Sequence, residues 1–194
     1  MRHMTQDTLR TRLIIAGLEI LQEKGLDALT LRACAARAGV SHAAPAHHFA
    51  GLQGLITGIV AKGFARFADT MEEDRKAAVQ TPLGQVTGIC TGYMRFSKEN
   101  PALFALMFNT SGTLDDTDAD FAAASARAYG LLRDACSPYL PVTDNPNATE
   151  VLVWSLVHGL ASLQLGGSLK VAEADGNTPT IAELLSGLSL KTKP

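Results

Sequence analysis

The chain has 194 residues, a formal net charge of −2, 46% hydrophobic residues and 6% aromatic residues. This length is enough to bury a real core in one large or two small domains, and the near-neutral charge excludes a basic coat over the whole molecule. Because aromatic residues are few, the core must be built from Leu, Ala, Val and Ile, which favours an all-α fold; the helical periods described below indicate about nine helices.

Three helices are predicted in the N-terminal region. The first runs over residues 8–24 with its apolar residues on one face. The second begins after Thr30, whose hydroxyl is expected to cap it, and ends at the left-handed turn that Gly39 allows. Ser41 is expected to cap a third, short helix over residues 42–49.

Two short helices joined by a tight turn are typical of a helix-turn-helix unit, which lays its second helix in the major groove of DNA. A helical hairpin in an ordinary bundle is the alternative for this stretch. Residues 1–56 carry six basic against four acidic residues and four of the five histidines. This is a weak electrostatic signature of DNA binding, and a dimer would double it.

Ala35, the run Ala38-Gly39-Val40-Ser41 and the pair His48-Phe49 resemble the DNA-binding domain of the TetR family of transcriptional repressors. The resemblance covers about residues 8–60. It implies a homodimer that places two recognition helices on a pseudo-palindromic operator, and a second domain that binds a small effector.

The sequence departs from the family's pattern at Ala46 and Leu52, where a Tyr and a Lys that commonly contact phosphate are usual. The candidate DNA contacts lie at the cap of the second helix, on its surface and along the recognition helix. These residues are Thr30, Arg32, Ser41, His42, Ala43, Ala44, His47 and His48.

Helical periods continue through the rest of the chain, interrupted by Pro, Asn and Gly and by a polar, acidic loop over residues 110–120. The further predicted helices span residues 52–78, 83–98, 102–109, 121–139, 148–165 and 180–188. A boundary near residue 52 divides the chain into a helix-turn-helix DNA-binding domain (1–52) and a helical-bundle domain for ligand binding and dimerisation (53–194). The last four residues, Lys-Thr-Lys-Pro, are expected to fray.

Trp154, His158 and Gly159, together with Asn100-Pro101 and Met107-Phe108, resemble a TetR subgroup named for its Trp-His-Gly motif. Large aromatic and flexible side chains in this region indicate a pocket for an apolar, uncharged or weakly polar effector, although a plain core is the alternative. We expect Arg95 to face outward, so that no charge would partner a buried anionic ligand. The candidate ligand contacts are Tyr93, Phe96, Phe104, Met107, Phe108, Tyr129, Trp154 and His158.

The helix over residues 148–165 is apolar nearly all round and carries small residues in a stripe at Ser155, Gly159, Ser162 and Gly166. Small residues let another helix approach closely. We therefore expect a homodimer through residues 148–168 and 180–188.

Several function classes are not supported by the sequence. His42, His47 and His48 do not share one helical face, so we expect no metal site, and no phosphate-binding loop, nucleophile motif or dinucleotide fingerprint occurs. We therefore expect no enzyme activity and no cofactor. We expect a cytoplasmic protein, because the three cysteines are scattered and no signal-peptide pattern occurs. We expect no membrane span, because no apolar run reaches about 20 residues.

Together these features predict a ligand-responsive transcriptional repressor that binds its operator as a homodimer and is released by a small apolar effector. The alternative is a helical small-molecule-binding or interaction protein whose DNA binding is weak or lost. Ala46 and Leu52 favour that alternative, whereas Arg32, Ser41 and His48 oppose it.

Overall fold

A computed structural model describes residues 2–109, 114–170 and 178–194, with side chains from residue 9 onward in the first range. In these ranges the chain forms eight α-helices and no strand, which confirms the all-α prediction and comes close to nine helices. None of the helices in the described part of the chain is long and apolar enough to cross a membrane. The helices are α1 (Arg2–Lys24), α2 (Leu31–Arg37), α3 (Gly51–Ala77), α4 (Pro82–Glu99), α5 (Pro101–Asn109), α6 (Ala119–Cys136), α7 (Ala148–Leu165) and α8 (Ile181–Gly187).

Helix ends coincide with polar caps and prolines. The Thr81 hydroxyl accepts from the Gly84 N–H at 3.1 Å at the start of α4, where Pro82 occupies the first turn. Thr180 and Glu183 form a reciprocal capping box at the start of α8. The ends of α3, α4, α5, α7 and α8 accordingly lie within one residue of the predicted positions.

Three predicted helices differ from the structure by more than one residue. Helix α1 begins at Arg2, six residues before the predicted start, and α6 ends at Cys136, three residues before the predicted end. The predicted helix over residues 42–49 is absent as an α-helix. The predicted loop over residues 110–120 is described only from residue 114.

The C-terminal tail is paired rather than frayed, so that prediction is wrong. The Leu140 N–H donates to the Lys191 carbonyl at 2.8 Å, and the Lys193 N–H donates to the Pro138 carbonyl at 2.7 Å. These bonds form around an isolated antiparallel bridge. The tail is ordered because the backbone after α6 offers it extended partners, which helical periodicity does not reveal.

The described chain divides by its contacts into two compact units. The first comprises Met1–Ala65 and Ala102–Ala126, and the second comprises Arg66–Pro101 and Arg127–Pro194. The predicted domain boundary near residue 52 stays a prediction, because these units group residues by contact and not by independent folding. Fully buried apolar side chains fill both units; the largest are Leu13, Leu21, Leu55 and Ile59 in the first and Met71, Ile89, Phe96 and Leu185 in the second.

In the second unit, α3 and α4 touch at Gly92. A Cβ atom at this position would lie 2.6 Å from the Met71 Cα and 2.7 Å from the Thr70 carbonyl oxygen. Only glycine allows this approach of the two backbones. Helix α4 then packs its other sides against α7 and α8.

Candidate nucleic-acid interface and ligand site

The first half of the helix-turn-helix unit forms as predicted. The Thr30 hydroxyl accepts from the Ala33 N–H at 3.0 Å and caps α2, while Cys34 and Ala35 are buried. Gly39 has a φ of 67°, the left-handed conformation that ends the helix. Thr30 is therefore a structural cap, whatever it contributes to DNA.

The second half differs from the prediction, because residues 42–49 contain a single 3₁₀ turn over Ala44–His47 and no α-helix. An α-helix would direct the N–H of residue 45 to the Ser41 carbonyl, but Pro45 has no N–H. The Ser41 carbonyl accepts instead from the Ala44 N–H at 3.0 Å, three residues along. That shorter spacing is the hydrogen bond of a 3₁₀ helix.

Ser41 is also not the cap that the sequence predicted. The residue before the 3₁₀ turn is Ala43, and no side chain bonds to the N–H groups there. The turn is anchored by Pro45 and Phe49, which are both buried. A Pro and an aromatic ring thus replace the capping hydroxyl as the features that hold the recognition segment, defined here as residues 41–48.

The candidate DNA contacts are mostly exposed around these two anchors. Ala44 and His48 are half-buried. The exposed members of the set are Thr30, Arg32, Ser41, His42, Ala43 and His47. The structure therefore brings the predicted contacts together on α2 and the recognition segment, where a duplex could reach them, and their role stays a prediction.

Two arginines of α1 bind other parts of the first unit. Arg10 contacts Asp118 at 3.3 Å and Asp120 at 3.1 Å, and its guanidinium lies 5.6 Å above the centre of the Phe49 ring. Arg12 donates to the Ala38 carbonyl. None of these pairs was predicted. The partners of Arg10 lie about 110 positions away and that of Arg12 lies 26 positions away, so they share no local signal.

Arg37 of α2 is paired with α1. It binds Glu23 at 2.5 Å and Glu19 at 3.6 Å, and the bond to Arg37 lowers the pKa of the Glu23 carboxyl. Arg12 and Arg32 are the exposed arginines in the described parts of α1 and α2, and Arg12 donates to the Ala38 carbonyl. Ion pairs thus compensate the charges of Arg10 and Arg37, whereas Arg12 and Arg32 keep fixed positive charge near the recognition segment.

In the second unit, Tyr93 and His158 form the best-defined polar pair among the candidate ligand contacts. The Tyr93 hydroxyl lies 2.7 Å from His158 Nδ1. Burial raises the pKa of Tyr93 against an opposing hydrogen bond from Trp154, and burial lowers the pKa of His158. The imidazole tautomer decides which of the two partners donates in this bond, and both are neutral near pH 7.

Aromatic rings surround this pair. Phe67 lies 4.8 Å from Tyr93 and 5.1 Å from Phe96, ring centre to ring centre. Tyr129 lies 6.0 Å from Trp154. Phe67 was not predicted as a member of the cluster. Its position on the apolar side of the predicted helix over residues 52–78 was a usable signal.

A buried carboxylate also lies in this region. The Tyr129 hydroxyl donates to Glu150, a residue of α7 that is only 8% exposed. The expectation that only Arg95 brings charge into the apolar stretches overlooked Glu150. Arg95 itself is half-exposed and binds Glu73 at 3.1 Å and Asp74 at 3.0 Å.

The other three candidate ligand contacts belong to the first unit. The Phe104 and Phe108 rings lie 4.7 Å apart at a tilt of 49°, Phe64 lies 5.7 Å from Phe108, and Met107 is buried beside Gly63. The eight candidates therefore form two aromatic groups, one in each unit. No group of His, Cys, Asp and Glu in the described residues is suited to hold a metal ion.

A capped helix, a glycine turn and an exposed recognition segment define a DNA-binding regulator of the helix-turn-helix class. The family model described as bacterial regulatory proteins, tetR family, matches residues 13–58. The model described as tetracyclin repressor-like, C-terminal domain, matches residues 86–186, more than half of the chain. The chain therefore belongs to the TetR family of transcription regulators. The match does not confirm the Trp-His-Gly subgroup, which stays a prediction.

Solved structures show the same fold. A protein of unknown function from Rhodococcus sp. RHA1 is 25% identical with a TM-score of 0.70, over 93% of this chain and 91% of that one. A TetR family transcription regulator from Marinobacter aquaeolei VT8 is 18% identical with a TM-score of 0.65, over all of both chains. The multidrug binding protein EbrR, solved with imidazole, is 18% identical with a TM-score of 0.56, over 95% and 96% of the two chains. No curated protein matches the sequence.

Proposed function

We propose that the chain is a ligand-responsive transcriptional repressor that binds a pseudo-palindromic operator as a homodimer in the cytoplasm. The observation that carries this proposal is the exposed recognition segment held between buried Pro45 and Phe49 in a chain of the TetR family. The cytoplasm follows from the proposed partner, chromosomal DNA. Repression is the activity that the family resemblance favours.

On DNA, the recognition segment enters the major groove. A dimer places two such segments about 34–36 Å apart, one helical turn of the duplex. Arg32, His47 and His48 supply phosphate or base contacts, and Ser41 reaches phosphate through its hydroxyl or N–H. The exposed methyl group of Ala43 suits contact with thymine methyl groups.

The effector is an apolar, uncharged or weakly polar molecule bound by the aromatic group around Tyr93. The neutral Tyr93–His158 pair supports a weakly polar ligand, since it offers hydrogen bonds and no charge. Buried Glu150 disfavours an anion further. The effector favours a spacing of the two recognition segments that differs from the one that fits the operator. The difference between its binding free energies for the two spacings is the coupling free energy between effector and DNA.

The dimer forms through α7 and α8. The exposed large apolar side chains of α7 include Val151, Trp154 and Leu163, which a monomer would leave in water. Beside them, Leu156, Leu160 and Leu184 line an open apolar groove of about 390 Å³. A second copy of the same surface buries both features.

The recognition segment gives specific support to the alternative, a helical ligand-binding protein with weak DNA binding. A 3₁₀ turn replaces the α-helix that a major-groove reader presents, and the two departures from the family's phosphate contacts, Ala46 and Leu52, are both exposed. The exposed histidines and Arg32 favour the repressor instead. DNA binding therefore decides between the two functions.

The test is selection of bound sequences from random duplex DNA with the full chain, followed by titration of the selected and a scrambled duplex at two salt concentrations. We expect a sequence with two related half-sites, and affinity for it that falls as salt rises. No enrichment and no salt-dependent binding would make the alternative the better function. Titration with neutral aromatic and with anionic small molecules then tests the effector class.

A further inference from the structure

Fixed charge is absent from the segment that faces DNA in the proposed function. Residues 38–61 contain no Lys, Arg, Asp or Glu. Their only ionisable side chains are His42, His47 and His48. Any positive charge that this segment presents therefore depends on histidine protonation.

The structure places these imidazoles on the surface or close to it, where a duplex could reach them. His42 and His47 are exposed and His48 is half-buried, on either side of buried Pro45. The described residues hold no metal-binding cluster that would compete for the ring nitrogens. Histidine is the side chain that changes charge between pH 5 and 8.

The described carboxylates on the surrounding elements are paired with arginines and not with these histidines. The Glu19 and Glu23 carboxylates of α1 bind Arg37, and Asp118 and Asp120 bind Arg10. Burial raises the pKa of the Cys34 thiol of α2, which stays neutral. Ionisable side chains on the elements around the recognition segment include Arg10, Arg12, Glu19 and Glu23 of α1, Arg32, Cys34 and Arg37 of α2, Lys62 of α3, and Asp118 and Asp120 at the start of α6.

We propose that protonation of His42 and His47 is part of DNA binding, so that the operator affinity of this repressor rises as the pH falls through the range of histidine titration. This inference rests on the proposed function and adds its regulation. A protonated imidazole beside a phosphate releases a counterion, whereas a neutral one does not. By linkage, DNA then stabilises the protonated rings to the same extent that protons stabilise the complex.

The experiment is a fluorescence-anisotropy titration of the full chain with the selected duplex and a scrambled duplex at about pH 5.8 and about pH 7.8, at constant ionic strength. We expect the selected duplex to bind at least about tenfold more tightly at the lower pH. The slope of log affinity against log salt should be steeper there by about 0.9 for each newly contacted phosphate. A thermal melt at each pH verifies the fold.

Two variants separate charge from other effects of pH. In the double variant His42→Gln, His47→Gln, the ratio of the dissociation constants at the two pH values should move at least about threefold closer to one, because His48 is then the only side chain of the segment that can gain a charge. In His42→Arg, His47→Arg, permanent charge should give tight binding at the higher pH. Thr91→His on the exposed surface of α4 is the matched control and should keep the wild-type ratio.

The outcomes are distinct. Equal affinity at both pH values, with an operator that still binds, overturns this inference and leaves the proposed function standing. A pH effect of undiminished size in the Gln double variant also overturns it. Absence of DNA binding at both pH values, for wild type and the Arg double variant alike, overturns the proposed function itself.

Discussion

Tyr93 and His158 illustrate how one hydrogen bond defines the chemistry of a residue pair. Each is a polar group among aromatic rings, and their 2.7 Å contact satisfies both at once. Burial lowers the pKa of His158, which means that the folded chain resists protonation of this ring. The consequence is a pH dependence of stability.

We expect protonation of His158 to lower the free energy of unfolding of the chain as the pH falls below about 6.5. In the unfolded chain histidine has a pKa of about 6.5, above the folded value, so the unfolded state binds the proton first. The contribution is complete above about pH 6.5 and is lost as the pH falls towards the folded pKa. Urea unfolding at three pH values should show a smaller loss in His158→Gln than in wild type.

The carboxylates do not obscure this measurement. The pKa values of Glu23, Glu72 and Glu183 are lowered by bonds to Arg37, to Arg75 and to the Thr180 backbone, and such groups lose their stabilising effect only below about pH 4.3. If the free energies of unfolding of wild type and His158→Gln changed in parallel with pH above pH 5, His158 would not be the titrating group.

Local residue roles were predictable where their partners are near in sequence. Thr30 was identified as a cap because its acceptor reaches an N–H three residues away. Arg10 and Glu150 were missed because their partners, Asp118 and Tyr129, come from distant helices. A pattern within one helix carries no information about such pairs.

At the scale of elements, proline explains both the accurate and the inaccurate predictions. Pro82 and Pro101 stand in the first turn of their helices, where the missing N–H has no partner to lose, and both helix starts were predicted within one residue. Pro45 stands one residue too far into its segment, where the missing N–H was needed. The helix predicted over residues 42–49 does not survive this loss, and the 3₁₀ hydrogen bond from the Ala44 N–H to the Ser41 carbonyl forms instead.

The α3–α4 contact gives a stability prediction with a matched control. Gly92→Ala should destabilise the fold by about 1–3 kcal/mol, because its Cβ would meet the Met71 backbone at 2.6 Å and backbone atoms cannot move aside cheaply. Gly130→Ala in α6 should stabilise it by up to about 1 kcal/mol, since only the end of Arg133 lies within 4 Å of a Cβ there. Denaturant unfolding measures both. Equal effects of the two changes would rule out close packing as the role of Gly92.

The recognition segment gives a binding prediction. Ala46 and Leu52 are exposed, so Ala46→Tyr and Leu52→Lys fit without repacking and restore two phosphate contacts that are usual in the family. We expect the double variant to bind all duplexes more tightly without a change of preferred site. Its salt slope should steepen by about 0.9 for each restored Lys contact.

Wild type and double variant are compared by titrating the selected and scrambled duplexes at two salt concentrations. Ala46→Phe with Leu52→Met is the control, because it restores the bulk but neither the hydroxyl nor the charge. If the Tyr and Lys variant gains nothing on either duplex, the recognition segment does not dock in the manner of the family. The alternative function would then gain support.

At the scale of the whole molecule, sequence reasoning reached the family and fold but not the arrangement of the candidate ligand contacts. The eight candidates were treated as one pocket, whereas contacts group Tyr93 and His158 in one unit and Phe104 and Phe108 in the other. Composition and spacing identify which residues are large and apolar. They do not identify which helices those residues share.

Dimerisation is the property that links the two copies of the recognition segment, and α7 offers a direct test. Within the chain, a Cβ atom at Gly159 would have nothing within 4 Å, and the open groove that this residue lines has room for a larger side chain. In a dimer through α7 the added side chain would hold the two helices apart, at a cost of about 1–3 kcal/mol per site. We expect Gly159→Leu to weaken the dimer by about tenfold or more in sedimentation equilibrium and to weaken operator binding with it. Gly130→Leu, with similar open space on α6, is the matched control and should sediment as wild type. An unchanged dimer in Gly159→Leu would remove this face of α7 from the interface, together with the apolar groove that Gly159 lines beside Leu184.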